Sequence, residues 1–139
     1  MAQPIAYGPP ISLDNAKKVA AAAIAEARKN NWTMAVAIVD PAGILVYFEK
    51  MEHTQLAGSQ IAIDKARSAT LFKRPTRVMQ EMLAAGGAGL RVFRLRGAVP
   101  IDGGLPLISD GKIIGAIGMS GDASENDGKC CQAGADVLK

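Results

Sequence analysis

Aromatic residues are scarce in this chain of 139 residues, at 4% of the composition. The basic stretches from Arg67 to Arg77 and from Arg91 to Arg96 contain too few of them for the base stacking that single-stranded nucleic acid requires. The net charge of +3 is also slight. We therefore expect no nucleic-acid partner.

Histidine and cysteine are equally rare, with one imidazole at His53 and two thiols at Cys130 and Cys131. A disulfide between adjacent cysteines is strained, and neither has a distant partner in the chain. This set also lacks the ligand spacing of a zinc site. We expect two free thiols on a helix and no structural metal.

Long hydrophobic runs are missing, since no stretch approaches the ~20 residues of a membrane helix. We therefore expect no membrane partner. Met1 is followed by Ala2-Gln3-Pro4, without the basic and apolar regions of an export signal. The expected location is cytoplasmic as the chain stands, and periplasmic if a signal peptide has been removed.

The pattern of the first half predicts an arm, a helix and a hairpin. Residues 1–11 contain three prolines and are expected to form an extended N-terminal arm, followed by one domain over residues 12–139. Ser12 is a good N-cap for a helix from Leu13 to Lys29. The apolar run 33–39 suits a strand covered on both faces, and a turn at Asp40-Pro41-Ala42-Gly43 leads to a partner strand over 44–48.

The second half predicts two further helices, a second hairpin and a last helix. The elements are a helix over 57–73, a helix capped by Thr76 that runs to Ala84, a loop at 86–89, strands over 105–109 and 112–120 around Asp110-Gly111, and a helix from 124 or 126 to 138. Hairpins joined by helices indicate an α+β fold with a mostly antiparallel sheet.

Cationic side chains gather around the end of the second long helix. Lys73, Arg74 and Arg77 flank Thr76, which lies where a helix begins and its free amides point outward. This arrangement suits the carboxylates of an anionic ligand. The alternative is that Thr76 only caps a helix, while the cations form a solvated face or an intersubunit salt bridge.

Three other side chains are candidates for chemistry. His53 is a candidate iron ligand or acid/base catalyst, and Met51 a soft second ligand. Lys65 lies on an apolar helix, where a lysine indicates a buried charge partner, such as Asp64 or Asp40, or a reactive amine. The alternatives are an ordinary loop histidine, a packing methionine and a lysine that reaches solvent from the helix edge.

Several sequence blocks together resemble, in order and spacing, the GlcG/HbpS-like family of haem-binding proteins, which is related to the C-terminal domain of PduO. The blocks are Val36-Ala37-Ile38-Val39-Asp40, Lys50-Met51-Glu52, Lys65-Ala66, Phe72 with Pro75-Thr76, Gly103-Gly104-Leu105-Pro106 and Gly115-Ala116-Ile117-Gly118. The resemblance implies a profilin-like α/β/α sandwich with a five-stranded antiparallel sheet, assembly from dimers to octamers, and haem binding in some members. It also implies a haem contact at Thr76 and a pocket wall at Gly103 and Gly104.

The sequence therefore supports two main hypotheses. The first is an oligomeric binding protein for haem or a similar anionic small molecule, with His53 as a candidate ligand of the haem iron. The second is a cofactor-independent catabolic enzyme that acts on a small aromatic or hydroxy acid, with His53 or Lys65 as acid/base. A structural or regulatory subunit is a third. Alanines on both faces of the first helix, including Ala21 and Ala25, favour a homo-oligomer.

Overall fold

The computed structural model describes residues 5–139, which form four α-helices, five strands and two short 3-10 helices. The strands are β1 (Ala6–Tyr7), β2 (Ala35–Val39), β3 (Leu45–Lys50), β4 (Gly104–Ser109) and β5 (Lys112–Ser120). The helices are α1 (Leu13–Lys29), α2 (Gly58–Leu71), α3 (Thr76–Ala85) and α4 (Ser124–Ala135), with 3-10 turns at Gly87–Arg94 and Asp136–Leu138. These bounds confirm the predicted α+β class.

Strand β5 is the centre of one five-stranded sheet. It pairs antiparallel with β4 on one edge and with β2 on the other, and β3 lies beyond β2. The short strand β1 pairs parallel with the start of β5, with Ala6 opposite Lys112. The sheet is therefore mixed, and the expectation of an antiparallel sheet throughout is not confirmed.

The parallel strand belongs to the N-terminal arm, whose first four residues lie outside the described part of the chain. Strand β2 pairs with β5 only from Ala116 onwards. The backbone groups of β5 before Ala116 on that edge therefore pair with the arm. The Gly8 amide donates to Ile113 O at 2.8 Å, and the Ile11 amide donates to Ile114 O at 2.8 Å. The described part of the arm therefore completes the hydrogen bonding of β5.

Helices cover both faces of the sheet. On one face, α1 and α4 bury a core that includes Val19, Ile24 and Cys130 against Ile38 and Ile117. On the other face, α2 packs its alanines against β2 and β5, in a cluster of Ala35, Ala37, Val39, Ala62, Ala66, Ala69 and Ala116. Every residue of β2 is buried, which confirms the predicted strand covered on both faces.

Glycine lets α2 approach β5 at backbone distance. A Cβ atom on Gly118 would overlap the carbonyl oxygen of Ala62 and would lie 2.6 Å from the amide nitrogen of Ala66. No side chain fits between the two backbones at this point. The close approach carries Lys65, which lies between these alanines in sequence, onto the end of β5 where the candidate site is built.

Two features of the second half differ from the sequence prediction. The second long helix ends at Leu71, and residues predicted as a loop at 86–89 begin the 3-10 helix Gly87–Arg94. The first two residues of that segment have positive φ, 70° at Gly86 and 56° at Gly87. Among the described residues, no helix is long and apolar enough to cross a membrane.

We predict that Gly118→Ala lowers the free energy of unfolding by about 3 kcal/mol, because the added methyl group must push two backbones apart. Urea denaturation followed by circular dichroism measures the change. Gly111→Ala is the matched control, since its methyl group meets no atom within 4 Å and only the φ of 72° is strained. That strain costs about 1 kcal/mol. Equal losses in the two variants would contradict the packing of α2 on β5.

Candidate functional site

A cleft of about 500 Å³ opens between α3, α4 and the start of β4. This volume is within the usual range of small-molecule sites. The lining residues come from all three elements and are Pro75, Arg77, Gln80, Glu81, Asp102, Gly104, Leu105, Glu125, Gly128, Lys129, Cys131 and Gln132. The cleft is therefore the concave surface on which the candidate residues are best compared.

The charges of the cleft are mixed, with one cation on each helix. Arg77 of α3 is exposed, and its Nε lies 3.7 Å from Glu81 Oε1. Lys129 of α4 is exposed, and no carboxylate of residues 5–139 lies within salt-bridge distance of its ammonium group. Asp102 is half-buried, and this burial raises the pKa of its carboxyl group, against the attraction of Arg77. Arg77 and Lys129 therefore lie on different walls of a cleft that the carboxylates of Glu81, Asp102 and Glu125 also line.

Thr76 is the first residue of α3, but its side chain does not cap the helix. The hydroxyl is buried, accepts from the Gly104 amide at 2.9 Å and donates to the Gly104 carbonyl at 3.4 Å. Pro75 holds the cap position with an extended backbone, at ψ of 141°. Thr76 therefore fastens α3 to β4 and supports the wall of the cleft from behind.

Lys65 is buried, with 2% of its surface exposed, and it forms an ion pair with a partner that the sequence analysis did not name. Its Nζ donates to Asp127 Oδ2 at 3.1 Å and to the Met119 carbonyl at 3.0 Å. The proposed partners Asp64 and Asp40 are wrong. Asp64 accepts from the side chain of Gln60, and Asp40 accepts from backbone amides of its own turn.

Asp127 lies in the first turn of α4 and is as buried as its partner, at 1% exposed. Burial raises the pKa of this carboxyl group to about 6, although the attraction of Lys65 lowers it. The other carboxylate oxygen, Oδ1, accepts from the Asp122 amide at 3.2 Å. Both oxygens of Asp127 therefore have a partner, as a buried carboxylate requires.

The two predicted wall glycines have different positions. Gly104 lines the cleft, and a Cβ atom there would lie 2.8 Å from Thr76 Cγ2 and overlap the Lys65 carbonyl. Gly103 lies behind it with φ of 122°, and a Cβ atom would lie 2.7 Å from Lys65 Nζ. Both positions need glycine because other groups already occupy the space.

The three predicted cations do not converge. Lys73 Nζ donates to the Ile5 carbonyl at 2.7 Å and lies 4.6 Å from the centre of the Tyr7 ring, so it holds the arm. Arg74 is exposed, and its Nε donates to the Phe72 carbonyl at 2.9 Å. Of the three side chains, Arg77 alone lines the cleft.

His53 and Met51 also lie away from the cleft. His53 is exposed in the turn after β3 with φ of 69°, and Met51 is half-buried against the core beneath α1. In the sheet, β3 is separated from β4 by β2 and β5. Three strand spacings amount to about 14 Å. The shared site for His53 and Thr76 stays a prediction, and within one chain the two residues lie at opposite edges of the sheet.

Sequence reasoning missed several residues of the site. Gln80 accepts from the Asp102 amide at 2.8 Å, and Lys129 and Asp127 lie on α4, which was predicted without any role in the site. One signal was present, because Asp127 and Cys131 are four apart and therefore share a helix face. The Cys131 thiol donates to the Gly103 carbonyl at 3.1 Å, and both cysteines are free as expected.

The chain is similar in sequence and in fold to known proteins. Protein GlcG of Escherichia coli K12 is 34% identical over 110 residues, which cover 79% of this chain and 81% of the relative. Klebsiella pneumoniae protein ORFY has the same fold, with a TM-score of 0.86 at 26% identity, over 99% of this chain and 97% of that one. The PduOC:heme complex is similar at a TM-score of 0.84 and 26% identity, over 94% and 96% of the two chains.

A family model described as "Haem degrading protein HbpS-like" matches residues 11–136, which is nearly the whole chain. The match includes the four α-helices and strands β2 to β5, and β1 lies outside it. The chain therefore belongs to the HbpS-like family.

Proposed function

We propose that the protein binds haem or a similar anionic, partly apolar small molecule in the cleft beside Gly104. The observation that carries this proposal is the pair of cations, Arg77 and Lys129, on two helices that face one cleft of about 500 Å³. The solved complex of PduOC with heme adds support, because its fold is similar and its chain is 26% identical. Haem carries two carboxylates on a flat apolar ring, so cations beside Leu105 and Pro75 suit it.

The residues present fit the carboxylates and the ring of haem better than they fit its iron. When bound, haem supplies an iron centre whose reactivity depends on the axial ligand. Burial raises the pKa of the Cys131 thiol well above its usual value, so this side chain stays protonated and is a poor ligand. No imidazole of residues 5–139 lines the cleft. The chain's own residues therefore bind and orient the ligand, and iron ligation within one chain is not offered by His53.

We further propose that the protein assembles into a homo-oligomer of even order, from a dimer to an octamer. Exposed apolar side chains support this, since Phe93 is 71% exposed and Leu90 51% exposed on the turn after α3. The exposed alanines Ala21 and Ala25 form a second small-residue surface on α1. A subunit that covers such surfaces removes apolar area from water. It is also the route by which His53 of another copy reaches a cleft.

The enzyme hypothesis loses one of its two candidate catalysts. Lys65 is 2% exposed and its ammonium group already donates to two acceptors, so it does not face a substrate. The carboxyl groups with raised pKa values in the site are those of Asp102 and Asp127, which were not among the candidates. Binding is therefore the function that the geometry supports best.

We predict that Arg77→Ala combined with Lys129→Ala weakens hemin binding by about 2 kcal/mol for each charged hydrogen bond that is lost. Titration of hemin into the folded variant, followed by visible absorption, measures the affinity. Arg74→Ala is the matched control, because Arg74 is an exposed arginine on the same segment that does not line the cleft. An unchanged affinity in the double variant, or an equal loss in Arg74→Ala, would place the site elsewhere.

We predict that Thr76→Val lowers the free energy of unfolding by about 2 kcal/mol, because the Gly104 amide is left buried without its acceptor. Thr76→Ser keeps the hydroxyl group and is expected to lose less than half as much. Chemical denaturation measures both variants. A hydroxyl that contacts the ligand directly would instead give normal stability and weak binding in Thr76→Val.

We predict that the protein has a mass in solution of at least twice 14.5 kDa and that His53→Ala alters the visible spectrum of bound hemin. The reason is that His53 reaches a cleft only from a second subunit. Light scattering gives the mass, and Met51→Leu is the control for an apolar change near the same turn. A monomer with an unchanged His53→Ala spectrum would remove His53 from the site.

A further inference from the structure

The buried ion pair between Lys65 and Asp127 lies directly behind the cleft, and the functional proposal above does not use it. We propose that Lys65 and Asp127 are positioning residues, which hold the α4 wall of the cleft against the start of β4 so that ligand affinity depends on their ion pair. This inference rests on the proposed binding function for its ligand, but its geometric part is tested separately below.

Lys65 is anchored to the sheet at two points. The lysine projects from α2, whose backbone is pressed onto β5 at Gly118. Its Nζ donates to the Met119 carbonyl at 3.0 Å, at the end of the same strand. Lys65 is therefore attached to the sheet at both its backbone and its ammonium group. The donor of the hydrogen bond to Asp127 is thus held in a fixed position.

Helix α4 is anchored through Asp127. Asp127 receives Lys65 on Oδ2 and the Asp122 amide on Oδ1, so the first turn of the helix is fixed from two sides. The next residue, Gly128, lines the cleft, and its backbone lies against the carboxylate of Asp102. Lys129 follows at once. The position of the cationic wall is thus set one and two residues away from Asp127.

The start of β4 closes the arrangement. The backbone of Gly103 lies against both residues of the pair, because a Cβ atom there would lie 2.7 Å from Lys65 Nζ and 3.0 Å from Asp127 Cβ. The Gly103 carbonyl accepts from the Met119 amide at 2.8 Å and from the Cys131 thiol at 3.1 Å. The ion pair therefore contacts α2, β5, α4 and the β4 start at one point.

A buried ion pair usually adds little net stability compared with apolar side chains of similar size. What distinguishes this one is its directional hydrogen bonds, which specify one position for the α4 wall. Apolar side chains fill the same volume, but they make no directional bonds that fix the position of α4. A loss of affinity at constant stability would therefore separate positioning from simple packing.

The test uses the full chain with Cys130→Ser, so that Cys131 is its sole thiol. Lys65→Met combined with Asp127→Leu replaces the ion pair by apolar side chains, and Lys29→Met removes an exposed lysine of the salt bridge with Glu26 as the matched control. We expect the double variant to melt within a few degrees of its parent and to bind hemin about tenfold more weakly. Unchanged affinity in the folded double variant would overturn the inference.

A second variant covers the case in which the double variant does not fold. Asp127→Asn keeps the shape and the hydrogen bond from Asp122, but it places an amide donor opposite Lys65. Its hemin dissociation constant is expected to exceed that of the parent above about pH 6 and to approach it below, where Asp127 itself is protonated. The ratio of the two constants cancels the pH behaviour of hemin. A ratio that does not change with pH would contradict a role for the charge of Asp127.

The Asp127→Asn variant and its parent contain the same other titratable groups around position 127, so these groups affect both dissociation constants. They are Lys65 from α2, Asp122 from the β5–α4 loop, Asp102 from the segment before β4, and Cys130 and Cys131 from α4 itself. For the titration, Cys130 is retained in both. The Asp127→Asn substitution is then the one difference between them.

Thiol reactivity gives a readout that needs no ligand. Cys131 is 1% exposed and donates to Gly103, so a displaced α4 wall is expected to increase its rate of reaction with a small disulfide reagent by about tenfold in the double variant and not in Lys29→Met. If wild-type protein binds no hemin, the proposed function fails, while a faster Cys131 still supports positioning. An unchanged rate would overturn the positioning role whatever hemin does.

Discussion

The structure depends on the contact of α2 with the backbones of β5 and β4. Glycine at Gly118 and Gly104 leaves no side chain between the helix and these strands, and the facing side of the helix offers alanines. Close packing of this kind excludes water and tolerates no added methyl group. Because the helix is so near, a lysine in its middle turns reaches the end of β5 and is buried there. The burial of Lys65, its pairing with Asp127 on α4 and the position of the cleft in front of this pair all depend on the close packing of α2 on the sheet.

Burial also determines how the site behaves electrostatically. The charges that face solvent include Lys129 and Arg77, whose Nε lies 3.7 Å from Glu81, and their interactions are weakened by salt. The pair beneath them is withdrawn from water, where the cost of a carboxylate is reduced by Lys65 but still raises the pKa of Asp127 to about 6. The cleft thus has an outer layer of exposed charges of both signs above an inner, buried ion pair. The outer layer lies on α3 and α4 and the inner pair on α2 and α4, so α4 contributes to both.

Sequence reasoning grouped three cations that the structure separates. Lys73, Arg74 and Arg77 are neighbours in sequence, yet the first holds the arm through Ile5, the second bonds to its own turn and the third lines the cleft. The left-handed backbone of Lys73, with φ of 54°, ends the helical geometry and turns these side chains in different directions. A spacing of four residues brings side chains together only within a continuous helix. Here α2 ends at Leu71 and α3 begins at Thr76.

The sequence by itself determined the elements, the α+β class and the family. Local signals such as the Ser12 cap, the Asp110-Gly111 hairpin and the apolar run of β2 act over a few residues, so they are legible without a structure. Tertiary structure alone decided that the arm joins the sheet in parallel, that Lys65 pairs with Asp127, and that His53 and Thr76 lie at opposite edges. Lys65 and Asp127 are 62 residues apart, and no local pattern encodes such a pairing. It follows from how four elements stack, because burial brings the two opposite charges together where solvent does not reach them.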